Sequence, residues 1–232
     1  MKTFFFSVTK GKKEDTLLYK NHKDDYEIFF VENNTKPLSK VYNKAIDFAI
    51  KEDIETLVLM HDDIIIESDL FKKIPELQTQ FDVIGVAGTT ECKLEQPALW
   101  HLMGGGFQGG KLHGAVAHIN NDKKYMTAFG VYPHRAVLID GVFMAIKREV
   151  FKSVRFDEEN PAGFHFYDLS YSLEAHKQKF KVGVGDIMIT HASPGLREFT
   201  EEFNKGQEYF LSKWKNGNKK QKTKLQRKKK VS

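Results

Sequence analysis

Apolar residues along the chain recur in two patterns that predict alternating strands and helices. Two early runs, "KTFFFSV" and "YEIFFVE", are aromatic and β-branched and end in polar residues, which is typical of strands. The segment "NNTKPLSKVYNKAIDFAIKED" has apolar residues at helical spacing behind capping residues and Pro37, which predicts an amphipathic helix. "ETLVLM" is apolar on both alternating faces and therefore predicts a strand that helices cover on either side.

The segments that follow continue this alternation. "SDLFKKIPEL" predicts a helix with Ser68 or Asp69 as its cap, and "FDVIGVAG" predicts another strand. The order strand, strand, helix, strand, helix, strand over the first 88 residues predicts a single α/β domain. We expect a mostly parallel central sheet flanked by helices. Ligands of such sheets bind at the carboxyl ends of strands, which is where residues 32–34 and 61–63 fall.

The segment from Gly88 to Val137 lacks this periodicity and is rich in Gly, His and single aromatic residues. A long stretch of this kind inside a compact domain is often functional, and we interpret it as a Gly-rich lid or acceptor loop that contains small strands. It includes "GGGFQG", Gly104 to Gly109, which satisfies G-x-G-x-x-G. Because no convincing strand precedes it and no amphipathic helix follows, close backbone approach to a ligand or a hinge fits better than a dinucleotide site.

Regular patterns return after this segment. "RAVLIDGVFMAIKREVF" predicts an apolar strand broken at Asp140-Gly141 and closed by a short basic helix. A helix follows over "FYDLSYSLEAHKQKF", and the Val/Ile-rich run after it predicts a strand that ends at His191. Four aromatic residues near the helical period predict a last helix packed on the body: Phe199, Phe203, Phe210 and Trp214.

Composition narrows the class of protein. A hydrophobic content of 41% in 232 residues can furnish one continuous core. The single cysteine, Cys92, permits no internal disulfide and indicates a reducing compartment such as the cytosol. The apolar part of "MKTFFFSV" is too short for a signal peptide, and no segment approaches a membrane span. We therefore expect a soluble, cytoplasmic protein.

The net charge of +5 comes from the end of the chain. Residues 213–232 contain ten Lys or Arg and no acid, which leaves 26 basic against 31 acidic residues and a net charge of −5 in the rest. This predicts a domain over residues 1–212 and a disordered basic tail over residues 213–232. The tail could contact an anionic membrane peripherally or have no specific partner. The acidic body argues against specific nucleic-acid binding.

The candidate chemistry begins with the polar residues that follow "LVLM". Asp62 and Asp63 can be a solvated turn, or they can hold a cation against phosphate oxygens, as Mg²⁺ and Mn²⁺ sites do. His61 adds an imidazole and shifts the preference to Mn²⁺. His191 ends another apolar strand and is either a packed histidine or a further ligand. Asp168 lies at the start of a helix and is either its N-cap or a general base.

Four segments, in this order and spacing, resemble family 2 type glycosyltransferases with the GT-A fold: "VENNTKPLSKVYNKAIDFA", "LVLMHDDIII", "LIDGVFMAIKREVF" and "HFYDLSYSLEAHKQKFKVGVGDIMITHASPG". The resemblance extends from about Lys2 to Arg197 and implies a Rossmann-like sheet that binds a nucleotide-diphosphate sugar donor. It implies transfer of the sugar to the hydroxyl of a glycan, lipid or protein-linked acceptor, with inversion and with Mn²⁺ or Mg²⁺ as cofactor. The two alternatives are a noncatalytic carbohydrate-binding or structural protein with a degenerate site, and a sugar nucleotidyltransferase.

The resemblance also implies a role for individual residues. Five match positions that hold the nucleotide base and ribose: Phe6, Ser7, Glu32, Asn33 and Asn34. Three match the Asp-any-Asp motif that binds metal and diphosphate: His61, Asp62 and Asp63. Asp140 with Gly141 matches the strand that lines donor sugar and acceptor. Asp168 matches the catalytic base, and His191 matches a histidine that completes the metal coordination. The chain departs from the family pattern twice, at His61 in place of an aspartate and at Tyr167 in place of a glutamate.

Overall fold

The structure, a computed structural model, describes residues 1–103, 109–120, 123–193 and 199–228. The strands are β1 (Thr3–Val8), β2 (Ile28–Val31), β3 (Thr56–Met60), β4 (Ile64–Ile66), β5 (Val83–Gly85), β6 (Ala87–Thr89), β7 (Leu112–Asn120), β8 (Lys123–Gly130), β9 (His134–Arg135), β10 (Leu138–Ile139), β11 (Phe143–Lys147), β12 (Val182–Val184) and β13 (Ile189–His191). The α-helices are α1 (Leu17–His22), α2 (Leu38–Lys51), α3 (Leu70–Gln78), α4 (Trp100–Met103), α5 (Arg148–Ser153), α6 (Tyr167–Lys177) and α7 (Glu201–Lys228). Short 3-10 helices span Lys13–Asp15 and Pro97–Leu99.

A seven-stranded sheet forms the centre of the fold, in the order β2-β1-β3-β11-β5-β12-β9. β1 is parallel to both β2 and β3, and β12 is parallel to β5. β11 is antiparallel to both of its neighbours, and β9 is antiparallel to β12. Five of the seven strands therefore point the same way, which confirms the predicted mostly parallel α/β sheet.

A second sheet has the strand order β10-β6-β7-β13-β4, with β8 paired to β7. β7 and β8 form an antiparallel hairpin of nine and eight residues inside the segment that the sequence marks as a lid or acceptor loop. Residues 112–117 of β7 are all buried, so both faces of this strand are covered there, and the strand is rich in Gly and Ala; it therefore lacks a clear alternation of apolar and polar residues. The lid role stays a prediction, and residues 104–108 of "GGGFQG" lie outside the described residues.

Strand β3 shows how the core is divided between the two faces of the central sheet. Val58 and Met60 belong to an apolar cluster with residues of α1, α3, α7 and the second sheet. Leu57 and Leu59 belong to the opposite cluster, with residues of α2, α5 and α6. All residues of β3 are buried, which confirms the prediction of a strand covered on both faces.

Helix α3 begins where the sequence predicts, and its cap is Asp69. The Asp69 side chain accepts a hydrogen bond from Lys72 N at 3.3 Å, so it satisfies one of the free amides of the first turn. The other predicted cap, Ser68, accepts instead from Met188 N at 2.8 Å and ties the start of α3 to the strand before His191.

Helix α7 packs on the body through buried aromatic side chains at Phe203, Phe210 and Trp214, as predicted. Phe199 differs, because it precedes the helix and is 50% exposed. Phe203 and Phe210 contact the ring of Phe166, with centroids 5.1 and 5.8 Å away. Phe166 has a left-handed backbone, with φ of 66°, and directly precedes α6.

Helix α7 also continues beyond Lys213 to Lys228, through most of the basic tail. A domain boundary at residue 212 stays a prediction. In the described part of the chain, no helix is both long and apolar enough to cross a membrane.

Candidate functional site

The turn after β3 places three polar side chains at the carboxyl end of the central sheet. β3 ends at Met60, and His61 N donates a hydrogen bond to Val142 O at 3.1 Å, which ties this turn to the residue before β11. Asp63 O accepts from Ala192 N at 2.9 Å, so the end of β13 lies against the same turn. The two regions that the sequence predicts to meet, residues 61–63 and His191, are therefore neighbours.

His61, Asp63 and His191 form a cluster of metal-ligand type, and one ligand atom from each lies within 4.8 Å of the other two. The Asp63 Oδ1 atom is 3.2 Å from His191 Nε2 and 3.9 Å from His61 Nδ1. Within the described ranges, both Asp63 Oδ1 and His191 Nε2 are buried without a hydrogen-bond partner of good geometry. Buried polar atoms without partners are costly, and a bound cation would satisfy both. The donor set of two imidazoles and one carboxylate fits a divalent metal.

Tyr167 determines which nitrogen of His61 faces the cluster. The Tyr167 hydroxyl lies 3.2 Å from Gly141 O, to which it donates, and 2.8 Å from His61 Nε2. Because the hydroxyl proton is used on the carbonyl, the hydroxyl oxygen accepts from Nε2–H of His61. The lone pair of the imidazole is then on Nδ1, the nitrogen that faces Asp63.

Gly141 connects this arrangement to Asp168. Gly141 N donates to Asp168 Oδ2 at 2.8 Å, while its carbonyl accepts from Tyr167. A side chain at this position would collide with the Tyr167 hydroxyl and would lie 2.8 Å from Asp168 Cβ, so only glycine fits. A continuous hydrogen-bonded chain therefore runs from His61 through Tyr167 and Gly141 to Asp168.

The charges of the cluster are strongly coupled. Burial disfavours a charged imidazole at His191, but the Asp63 carboxylate outweighs burial and raises the pKa of His191. Burial also opposes ionisation of Asp63, yet the two imidazoles lower the pKa of this carboxyl. Burial and the neighbouring His191 lower the pKa of His61, which is consistent with a neutral ligand. The cluster thus contains one carboxylate and a neutral imidazole, both suited to a cation.

Two backbone amides hold the carboxylate of Asp168. Asp168 lies in the first turn of α6, and its Oδ1 accepts from Leu169 N at 2.9 Å. Burial and the nearby negative charge of Asp140 raise the pKa of Asp168 to about 7. A carboxyl with a pKa near neutrality can both accept and release a proton at physiological pH. The N-cap position of α6 is occupied by Phe166, so Asp168 is not the N-cap of this helix, and its role as a general base stays a prediction.

Asp140 lies at the centre of the polar groups. Its Oδ1 accepts from Val142 N at 2.9 Å, which fixes the carboxylate in the turn between β10 and β11. Its charge acts on the pKa of six surrounding groups: His61, His101, His118, Tyr167, Asp168 and His191. Asp62 is partly exposed beside them, and its charge acts on His61 and His191. Both carboxylates therefore act on the histidines of the cluster.

The residues predicted to hold the base and ribose lie at the adjacent edge of the sheet. A groove of about 500 Å³ between β2 and α2 is lined by Phe6, Glu32, Asn33 and Asn34 together with other aromatic side chains. Glu32 Oε1 accepts from Lys13 N at 2.9 Å, and Asn33 is exposed with φ of 50°. Donor binding by these residues stays a prediction.

Two of the predicted donor residues have their side chains engaged within the protein. Ser7 is fully buried, and its hydroxyl donates to Met60 O at 2.9 Å. The Asn34 amide forms two hydrogen bonds with the backbone of Lys36, at 2.8 and 3.1 Å, and so shapes the turn before α2. Both residues stabilise the walls of the site, which gives them a structural role beside the predicted one.

Three residues close to these groups are not predicted as site residues by the sequence. The sequence marks Tyr167 only as a departure from the family pattern, but its hydroxyl contacts His61 directly. His118 and Tyr125 lie in the hairpin, whose weak periodicity hid the strands. The sequence contains one indication of the contact between His61 and Tyr167: these are the two positions at which the chain departs from the family pattern.

Comparison with protein families identifies the family of the chain. The model of a family described as "Glycosyltransferase like family" matches residues 17–220. Because the match covers most of the 232 residues, the chain belongs to this family, and the resemblance seen in the sequence is confirmed at that level. No curated protein matches the sequence.

Solved structures with a similar fold include A197 from STIV, with a TM-score of 0.52 and 15% identity over 83% of this chain and 86% of that chain. GalNAc-T7, solved with UDP, GalNAc and Mn²⁺, has a TM-score of 0.48 and 10% identity over 86% of this chain and 45% of that chain. This chain thus spans less than half of GalNAc-T7. The likeness to A197 and the family match confirm the predicted GT-A-like α/β fold.

Proposed function

We propose that the protein transfers a sugar from a nucleotide-diphosphate sugar to a hydroxyl acceptor, with inversion and with a divalent cation. The observation that carries the proposal is the convergence of His61, Asp63 and His191 with Asp140 and Asp168 at the carboxyl edge of the sheet. Ligands of open α/β sheets bind at this edge. Membership in a glycosyltransferase family supports the same reaction class.

His61 Nδ1, Asp63 Oδ1 and His191 Nε2 would hold the cation. The two imidazoles favour a transition metal such as Mn²⁺ over Mg²⁺, and the remaining ligands would come from diphosphate oxygens. When bound, the cation neutralises the charge that develops on the departing nucleoside diphosphate. Tyr167 keeps His61 in the tautomer that presents its lone pair to this position.

Asp168 receives the proton of the acceptor hydroxyl. In one displacement, the bond from the acceptor oxygen to the anomeric carbon forms, the bond from that carbon to the phosphate oxygen breaks, and the proton passes to the Asp168 carboxylate. The backbone amide of Gly141, at 2.8 Å from Oδ2, holds one oxygen of this carboxylate in place. Positioned general-base catalysis of this kind contributes about 10²- to 10⁴-fold to the rate.

The groove between β2 and α2 is the proposed place of the nucleoside. Phe6 and Phe29 stack with centroids 5.8 Å apart, and Phe29 is 54% exposed beside Glu32 and Asn33. An aromatic wall with a few polar groups at one end is typical of small-molecule sites. The groove ends near the turn after β2, on the same edge of the sheet as the metal cluster.

The test is thermal unfolding with a panel of uridine, guanosine, cytidine and thymidine diphosphate sugars, with and without Mn²⁺. We expect at least one donor to raise the unfolding midpoint only when Mn²⁺ is present. Asp63→Ala should abolish this Mn²⁺-dependent shift, whereas Asp24→Ala, a change at an exposed aspartate, should preserve it. Absence of any Mn²⁺-dependent donor shift in the wild-type protein would refute the proposed function.

A further inference from the structure

Three aromatic rings lie side by side across the second sheet and begin at the metal cluster. His191 on β13 is in register with His118 on β7, and His118 is in register with Tyr125 on β8. The centroid of His118 is 6.4 Å from that of His191 and 5.1 Å from that of Tyr125. Residues directly paired across strands project from the same face of a sheet, so the three rings form one row.

The row extends from the partly buried His191 to the surface of the protein. Val116, two residues before His118 and therefore on the same face, is buried in the apolar core. Lys124, next to Tyr125, points to the opposite face, where its Nζ lies 2.6 Å from Glu67 Oε1. Tyr125 is 51% exposed, so the row that starts at His191 ends in an open aromatic ring.

The ring of Tyr125 is oriented by stacking on the ring of His118. The rings of His118 and Tyr125 are stacked, with an angle of 25° between their planes. His118 is itself partly buried and lies between His191 and Tyr125. One face of Tyr125 is thus covered by His118, while the ring as a whole is half exposed.

We propose that Tyr125, supported by His118, is a stacking platform for a sugar ring of the acceptor. This inference rests on the proposed transferase function and adds the substrate class, a carbohydrate acceptor in place of a lipid with only an alkyl hydroxyl. A pyranose has a face of polarised C–H groups, which an aromatic ring attracts, while its hydroxyls stay at the rim. A ring held in place by a neighbour loses little conformational entropy when a sugar stacks on it.

Saturation-transfer NMR with methyl glycosides of glucose, galactose, mannose and N-acetylglucosamine tests the platform without knowledge of the natural acceptor. We expect at least one glycoside to bind the wild-type protein and to bind Tyr125→Ala about tenfold more weakly, the effect of a lost stacking contact of about 1.4 kcal/mol. Tyr125→Phe keeps the ring and should retain binding. Met126→Ala is the matched control, because Met126 is also exposed but occupies the opposite face of β8.

Each other outcome overturns the platform. Equal binding of a glycoside by the wild-type protein and Tyr125→Ala would show that Tyr125 is not used, and so would the absence of binding by every glycoside. Sedimentation velocity covers one further possibility: self-association that Tyr125→Ala abolishes would assign the ring to contact with a second copy. Donor titrations of the wild-type protein with Mn²⁺ report on the proposed function separately. A positive donor shift with a negative glycoside result therefore removes the platform alone.

Discussion

Replacing Tyr167 by phenylalanine tests the hydrogen bonds between His61, Tyr167 and Gly141 without removing the aromatic ring. The substitution removes one hydroxyl, which lies 2.8 Å from His61 Nε2 and 3.2 Å from Gly141 O. The phenylalanine ring can keep the packing against Tyr42, whose centroid is 5.5 Å away. The change therefore acts on the hydrogen bonds and leaves the shape of the core in place.

Two effects follow from this loss. Each net hydrogen bond contributes about 0.5–1.5 kcal/mol, so the free energy of unfolding should fall by about 1–3 kcal/mol. Because the proton of His61 is then no longer held on Nε2, the ring can present either nitrogen to Asp63. Loss of a partner that orients a metal-binding histidine typically weakens metal binding by about 10- to 100-fold.

Isothermal titration of the protein with Mn²⁺ measures this effect directly, and chemical denaturation measures the stability. Tyr171→Phe is a matched control on the same helix, because the Tyr171 hydroxyl is buried without a hydrogen-bond partner among the described residues. This control should bind Mn²⁺ like the wild-type protein and be at least as stable. Wild-type Mn²⁺ affinity in Tyr167→Phe would refute the role of Tyr167 in orienting His61.

Two further predictions concern the base and the glycine beside it. Asp168→Asn should lower kcat by about 10²- to 10⁴-fold and leave donor affinity nearly unchanged. Since the base must be ionised, and burial with the charge of Asp140 raises the pKa of Asp168 to about 7, kcat should fall as the pH drops below about 7. A flat profile between about pH 6 and 8 would assign the base elsewhere. Gly141→Ala should weaken Mn²⁺ binding and cost about 1–3 kcal/mol of stability in denaturation experiments, because its Cβ meets Tyr167 and Asp168. Gly11→Ala, whose Cβ meets nothing within 4 Å, should do neither, and equal effects of the two changes would contradict the steric reasoning.

The central sheet and the position of the site could be predicted because both follow from local patterns. "ETLVLM" is apolar without alternation, and β3 is buried on both faces of the central sheet. The carboxyl ends of strands meet at one edge, so polar residues at the ends of separate apolar runs, such as Asp63 and His191, are expected to converge. Their distance of 3.2 Å agrees with that expectation.

Other features depend on contacts that no local pattern contains. The pairing of His61 with Tyr167 joins residues 106 positions apart, and a tyrosine at a helix start has many possible partners. The hairpin of β7 and β8 was difficult to recognise for a different reason. β7 contains small residues and is mostly buried, while most of β8 is exposed. Neither strand therefore alternates clearly between apolar and polar residues.

Helix α7 supports the site, although it is distant from most site residues in the sequence. Its Phe203 and Phe210 clamp Phe166, which keeps an unfavourable left-handed backbone immediately before Tyr167 and Asp168. The same helix runs on into the lysine-rich end of the chain. The lysine-rich end of the chain and the turn that carries Tyr167 and Asp168 are therefore connected through one helix and its aromatic contacts.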